Sequence, residues 1–164
     1  MSKKENILVS ACLMGVHCRY DGKCQNIEEF DEKLPLLMEK YNLIPVCPEV
    51  YGGLTTPRKP SEIKGDRVRN CAGEDVTEQF ERGANEALRL AQRYDCKKAI
   101  LKFRSPSCGS RYVYDGTFSK TVIEGDGITA RLLKANGIAV YTELDCEKLI
   151  KKKYRIEPKQ EKQS

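Results

Sequence analysis

The sequence predicts an α/β fold of the Rossmann-like or flavodoxin-like kind, a single domain in which helices flank a short, mainly parallel sheet. Three observations predict it. Short β-branched runs alternate with amphipathic stretches, the pattern of repeated strand–helix units. The 164 residues suffice to bury one hydrophobic core. No internal repeat or compositional break marks a second domain, so residues 1–154 are expected to form one domain and residues 155–164 a flexible basic tail.

Each element has its own signal. Ile7-Leu8-Val9-Ser10-Ala11-Cys12 reads as a short, buried first strand. From Ile27 to Tyr41, the residues Phe30, Leu34, Leu37, Met38 and Tyr41 recur at helical spacing, with Pro35 expected to delay or kink the helix. Leu43-Ile44-Pro45-Val46-Cys47 is the second strand. The stretch from Tyr51 to about Asn70 is broken by Gly and Pro and is expected to be an irregular loop. Asp75 or Thr77 is expected to cap a long helix reaching about Tyr94. Ala99 to Phe103 is the third strand, and Tyr112 to Phe118 a small hairpin or loop excursion. Thr129 to Asn136 reads as a short helix stopped by Gly137. Ile138 to Tyr141 is the fourth strand, and Asp145 is expected to cap a last helix.

Composition narrows the function classes. No apolar run approaches the roughly 18 residues of a membrane span. The start, Met1-Ser2-Lys3-Lys4-Glu5-Asn6, lacks the apolar region of a signal peptide, so a cytoplasmic location is expected. Eight cysteines in such a chain point to reduced thiols used for metal, redox chemistry or packing rather than to disulfides. The net charge is +5, and four positives sit in Lys151-Lys152-Lys153-Tyr154-Arg155, so no nucleic-acid partner is expected.

In an open parallel sheet, ligands bind beyond the carboxyl ends of the strands. Three cysteines fall at that edge: Cys12 ends the first strand, Cys47 ends the second, and Cys108 follows the third. Polar groups surround them in Cys47-Pro48-Glu49, in Gly52-Gly53 and in Ser105-Pro106-Ser107-Cys108-Gly109-Ser110. Three thiolates suit an iron–sulfur cubane with one iron left open, and such an iron acts as a Lewis acid toward soft sulfur. Zinc is the alternative, although the close Cys-x(2–4)-Cys pairs of structural zinc sites do not occur here. Cys71, Cys96 and Cys146 read as packing residues. Cys18 and Cys24 stay open among supporting, redox-sensitive and spare-ligand roles. Arg58, Arg104 and Arg111 are candidates to meet a substrate phosphate.

Several segments together resemble the DUF523 family, the TudS-like thiouracil desulfidases. They are Ser10-Ala11-Cys12-Leu13-Met14-Gly15, Cys18-Arg19-Tyr20-Asp21-Gly22, Cys47-Pro48-Glu49 with Gly52-Gly53-Leu54 and Pro57-Arg58, Lys102 with Ser105-Pro106-Ser107-Cys108-Gly109, and Gly125-Asp126-Gly127-Ile128-Thr129-Ala130. The resemblance runs over about residues 6–150. It implies a [4Fe–4S] cluster on Cys12, Cys47 and Cys108, Glu49 as the acid/base that activates water, and Ser105, or less favourably Ser107, as a catalytic hydroxyl. The implied reaction is non-redox hydrolytic C–S cleavage of 4-thiouracil or a 4-thiouridine nucleotide. Longer members carry a further C-terminal domain and act on tRNA. This shorter chain is expected to take a small-molecule thiolated base or nucleotide. Two rivals predict differently: an iron–sulfur carrier would use four protein thiolates, and a nucleotide-binding module with structural cysteines would be colourless.

Overall fold

The computed structural model describes residues 3–151. The basic tail assigned to residues 155–164 lies outside them. Four parallel strands form the central sheet: β1 (Glu5–Ser10), β2 (Tyr41–Val46), β5 (Lys98–Leu101) and β8 (Ala139–Thr142), in the order β2-β1-β5-β8. Side chains alternate across it. Leu8, Ala99 and Leu101 meet Ala87 and Ala91 of α3 (Thr77–Arg93) and Ala130 and Leu133 of α4 (Ile128–Ala135). Ile7, Val9 and Ile100 meet Phe30 and Leu37 of α1 (Glu28–Lys40) and Leu149 of α5 (Glu147–Ile150). Helices therefore cover both faces, as the period-two burial of a parallel sheet demands.

The expected helix around Pro35 runs unbroken from Glu28 to Lys40. A mid-helix proline costs about 3 kcal/mol. Full burial of Phe30 and Leu37 contributes about 1.5–3 kcal/mol each, enough together to outweigh it. The first strand stops at Ser10, and Cys12 sits in a 3₁₀ turn, Ala11–Met14, just past it. The third strand ends at Leu101, two residues short of Phe103, because Lys102 and Phe103 bond to side chains instead of a neighbouring strand.

The stretch from Tyr51 to about Asn70, expected to be irregular, is so over residues 52–60 and regular after them. It follows α2 (Pro48–Tyr51) and contains a hairpin, β3 (Ser61–Lys64) and β4 (Arg67–Asn70), turned at Gly65-Asp66. Only two residues of that hairpin, Ile63 and Val68, anchor its apolar side, against Phe80 and Val76. Such a short alternation is masked by flanking charge. A second hairpin pairs β6 (Tyr112–Tyr114) with β7 (Val122–Glu124). The capping expectations need correction. Asp75 does accept the Thr77 N–H at 3.0 Å, but the Thr77 hydroxyl ties to Val68 of the hairpin. Asp145 turns back to the Thr142 N–H rather than capping α5.

Candidate functional site

The sheet order makes β1 and β5 neighbours whose connections leave in opposite directions, which opens a crevice at their carboxyl ends. A hydrogen bond from the Lys102 N–H to Ser10 Oγ, 2.9 Å, ties the two strand ends together there. A cavity of roughly 480 Å³ occupies this edge. Cys12, Cys47 and Cys108 all line it, and so do Glu49, Ser105 and Ser107.

Each thiol is placed by a different piece of backbone. Cys12 rides the 3₁₀ turn after β1. Cys47 stands at the N-terminus of α2, and α2 lies against α3 so closely that a Cβ on Gly83 would fall 1.8 Å from the Pro48 carbonyl oxygen. Cys108 belongs to the loop 105–109, which wraps the start of α4: Ile128, Thr129 and Ala130 donate to the carbonyls of Pro106 and Ser107. That approach needs Gly127, since a Cβ there would sit 2.3 Å from the Ser107 oxygen.

The structure adds a fourth thiol. Cys18 is buried and lines the same cavity, and its carbonyl accepts the Cys47 thiol at 3.8 Å. Its partner Cys12 first, with burial adding, pushes the Cys18 thiol up to about 11. The bond with Cys18, then burial, pushes Cys47 far up as well. Cys108 is raised to about 12 by burial, against hydrogen bonds from Ser10 and Ser107. These thiols hold their protons firmly unless a cation takes their place. Cys24 bonds Asn26 instead and does not line the cavity, and Cys71 is exposed.

Glu49 is fixed by Arg58. The Arg58 Nε donates to Glu49 Oε2 at 2.7 Å, Nη2 lies 2.7 Å from the same oxygen as an ion pair, and Nη2 donates to the Cys18 carbonyl at 2.9 Å. One guanidinium thus fastens the carboxylate to the loop that carries the fourth thiol. Ser105 Oγ accepts the N–H groups of Ser107 and Cys108 at 3.2 and 3.1 Å, and the Gly109 N–H goes to the Ser105 carbonyl. The N–H groups of Ser107, Cys108 and Gly109 are therefore spent within the loop. The hydroxyl proton of Ser105 remains to be given. Ser107 is buried and bonds Thr129 Oγ1 at 2.7 Å, joining the loop to α4.

Five Lys or Arg side chains line the cavity. Arg19, Arg58 and Lys102 are ion-paired with Asp21, Glu49 and Glu143, and Arg104 and Lys120, without a salt bridge among the described residues, bias its field toward anions. Of the arginines expected near a phosphate, Arg58 and Arg104 line it and Arg111 does not. Lys102 is held from behind by the buried Glu143 at 2.9 Å, and Glu143 also accepts the Phe103 N–H. Sequence reasoning missed Glu62, Tyr114, Phe118 and Lys120, which reach the cavity from the two hairpins. No local pattern announces them.

The thiols surround the space without meeting at a point. Among the described residues, no three His, Cys, Asp or Glu side chains gather tightly enough for a single ion. A cubane asks for wider spacing, because each thiolate takes a different iron. An all-thiol donor set in a cationic cavity fits such a cluster.

The 2-thiouracil desulfurase family model matches residues 7–145. The chain belongs to this family. Its relative YbbK of Bacillus subtilis (strain 168), described as an uncharacterized protein, is 42% identical over 147 residues, covering 84% of this chain and 95% of YbbK. Among solved structures, the fold is similar to the [4Fe-4S]-dependent thiouracil desulfidase TudS (DUF523Vcz), with a TM-score of 0.80 and 42% identity. That match covers 89% of this chain and 95% of TudS. The family match takes in all three motif cysteines, Cys18 and both hairpins, so the whole edge described above lies inside it. Among the described residues, no helix is long and apolar enough to cross a membrane.

Proposed function

We propose that the chain is a [4Fe–4S]-dependent desulfidase that removes sulfur from a thiolated pyrimidine by non-redox hydrolysis. The observation that carries this reading is the meeting of Cys12, Cys47 and Cys108 around one cavity beside an anchored carboxylate, in a 2-thiouracil desulfurase family chain. Cys12, Cys47 and Cys108 would hold the cluster. When bound, it supplies a Lewis-acidic iron with affinity for soft sulfur.

The chain's own residues do the rest. The Arg58 hydrogen bond and ion-pair contact both fall on Glu49 Oε2, so Oε1 is the oxygen left to take a proton from the attacking water. Water oxygen bonds to the thiocarbonyl carbon, the C–S bond breaks, and sulfur departs as sulfide with the water's protons; no electron is transferred. Ser105 gives its hydroxyl proton as a hydrogen bond to the charge that develops on the ring. Ser107 keeps loop 105–109 seated on α4. The reading places the chain in the cytoplasm, with the eight free thiols in support.

The test is anaerobic reconstitution followed by turnover of 4-thiouracil and 4-thiouridine 5′-monophosphate, read as loss of the thione absorbance. Turnover with one of them supports the reading. A fully loaded protein inert toward both overturns it. Cys18 favours a second reading: beside Cys12 and Cys47 it could complete four thiolates, the arrangement of an electron carrier. Loss of the cluster in Cys18→Ser would favour that carrier.

A further inference from the structure

Loop 115–121 joins β6 to β7, and Phe118 and Lys120 bring it to the cavity wall. Its backbone is unusual. Phe118 and Lys120 adopt φ of 58° and 63°, a left-handed conformation that costs a non-glycine residue about 1–2 kcal/mol. Such a conformation persists only where its surroundings hold it. Two sets of contacts do so. Asp115 accepts the Thr117 N–H at 2.9 Å and gives its own N–H to the Thr121 carbonyl. Glu62 of β3 reaches across from the other hairpin, and its Oε1 accepts the N–H groups of Gly116 and Phe118 at 3.1 and 3.2 Å.

The contact between the two segments is close. At Gly116, φ is +90°, and a Cβ would sit 2.7 Å from the Lys64 Cβ and 2.8 Å from the Ile63 oxygen. The loop is therefore pressed on β3 at Gly116 and bonded to Glu62 on either side of Thr117. What it brings to the cavity wall is Phe118, 39% exposed, and the cation Lys120. A planar heterocycle is the ligand chemistry that an accessible ring edge or face beside a cation suits.

We infer that Glu62 is a positioning residue for substrate: its carboxylate sets loop 115–121 so that Phe118 and Lys120 form the wall against which the thiolated pyrimidine binds. This rests on the proposed desulfidase activity. Glu62 touches neither the reacting atoms nor the thiols in this account. The wall contacts parts of the substrate that do not change during C–S cleavage, so it holds ground state and transition state alike and governs KM rather than kcat.

The experiment compares the wild-type chain with Glu62→Ala, Glu62→Gln and Gly116→Ala, all cluster-loaded. Glu62→Gln keeps an acceptor oxygen, whereas Gly116→Ala moves the loop with Glu62 intact. Glu62→Ala and Gly116→Ala should each raise KM for the thiolated substrate about tenfold with kcat within about threefold, and Glu62→Gln should stay near wild type. Hydrogen exchange, measured on the same proteins without substrate, should quicken at the Gly116 and Phe118 amides in Glu62→Ala while β1 and β5 stay protected. Unchanged exchange there overturns the latch. Quickened exchange with unchanged KM overturns its role in substrate binding. A loaded wild-type chain without turnover overturns the desulfidase reading and this inference's substrate role with it, and the exchange result shows that failure to be separate from failure of the latch.

Discussion

Gly83→Ala tests whether the helix carrying Cys47 and Glu49 is seated by backbone contact. In most helix interiors this change stabilises by about 1 kcal/mol, because alanine is the better helix former. Here the added Cβ would lie 1.8 Å from the Pro48 oxygen and 2.6 Å from its carbonyl carbon. Both are main-chain atoms of α2, with no flexible side chain to swing aside. Real Cβ atoms keep at least 3.0 Å, so α2 and α3 must part by more than an ångström. Overpacking of this kind costs about 1–3 kcal/mol, and a backbone-on-backbone clash belongs at or beyond the upper end. The net expectation is a loss of about 2 kcal/mol or more, which lowers Tm by at least about 4–8 °C in a chain of this size. The displaced atoms adjoin Cys47 and Glu49, so iron content should fall further than stability does. Thermal denaturation of the cluster-free chain and iron per chain after reconstitution read the two effects. Asn85→Ala, on an exposed position of the same helix, gives up only a bond to the Glu81 carbonyl and reports an alanine in this helix without the clash. A Gly83→Ala chain with a raised Tm and full iron content would refute the reasoning.

Three further outcomes follow from named contacts. Glu49→Gln should keep the cluster's absorbance and lower kcat by about 10²–10⁴-fold, the usual worth of a general base; comparable turnover would remove Glu49 from the reaction. Glu143→Ala leaves the Lys102 ammonium and the Phe103 N–H without their shared buried partner, and should cost about 2–3 kcal/mol in urea unfolding; a loss under about 0.5 kcal/mol would show the pair to be incidental. The Arg67 hydrogen bond, then those from Thr77, hold the Asp75 carboxyl well below the usual range. Its folded pKa is depressed, so its contribution is present above the unfolded value of about 3.9 and is lost as the pH falls below it. Asp75→Asn should therefore shrink the difference in urea midpoint between pH 6 and pH 3, and an unchanged difference would contradict this.

The layered core was legible in the sequence because burial writes itself as periodicity. Leu8 against Ile7 and Val9, and Phe30 seven residues before Leu37, show the two faces directly. The three motif cysteines were legible because strand ends in a parallel sheet share an edge, and all three line one cavity. Elements held by few residues escaped. Hairpin β3–β4 rests on Ile63 and Val68 amid Lys, Arg and Asp, too little alternation to stand above its charged neighbours. The cavity residues it brings, Glu62 above all, escaped with it. Cys18 stayed ambiguous because its place depends on Arg58, forty residues away, drawing its carbonyl toward α2. Asp145 looked like a cap by position, yet the Thr142 N–H, turned back at the end of β8, is the nearer donor.

Which thiols hold iron decides the function most directly. Anaerobic reconstitution of Cys12→Ala, Cys47→Ala, Cys108→Ala and Cys18→Ala, followed by iron and acid-labile sulfide analysis, measures it. Each of the first three should fail to retain four irons and four sulfides, and Cys18→Ala should retain them. Full occupancy in any of those three, or an empty Cys18→Ala, would contradict the three-thiolate site.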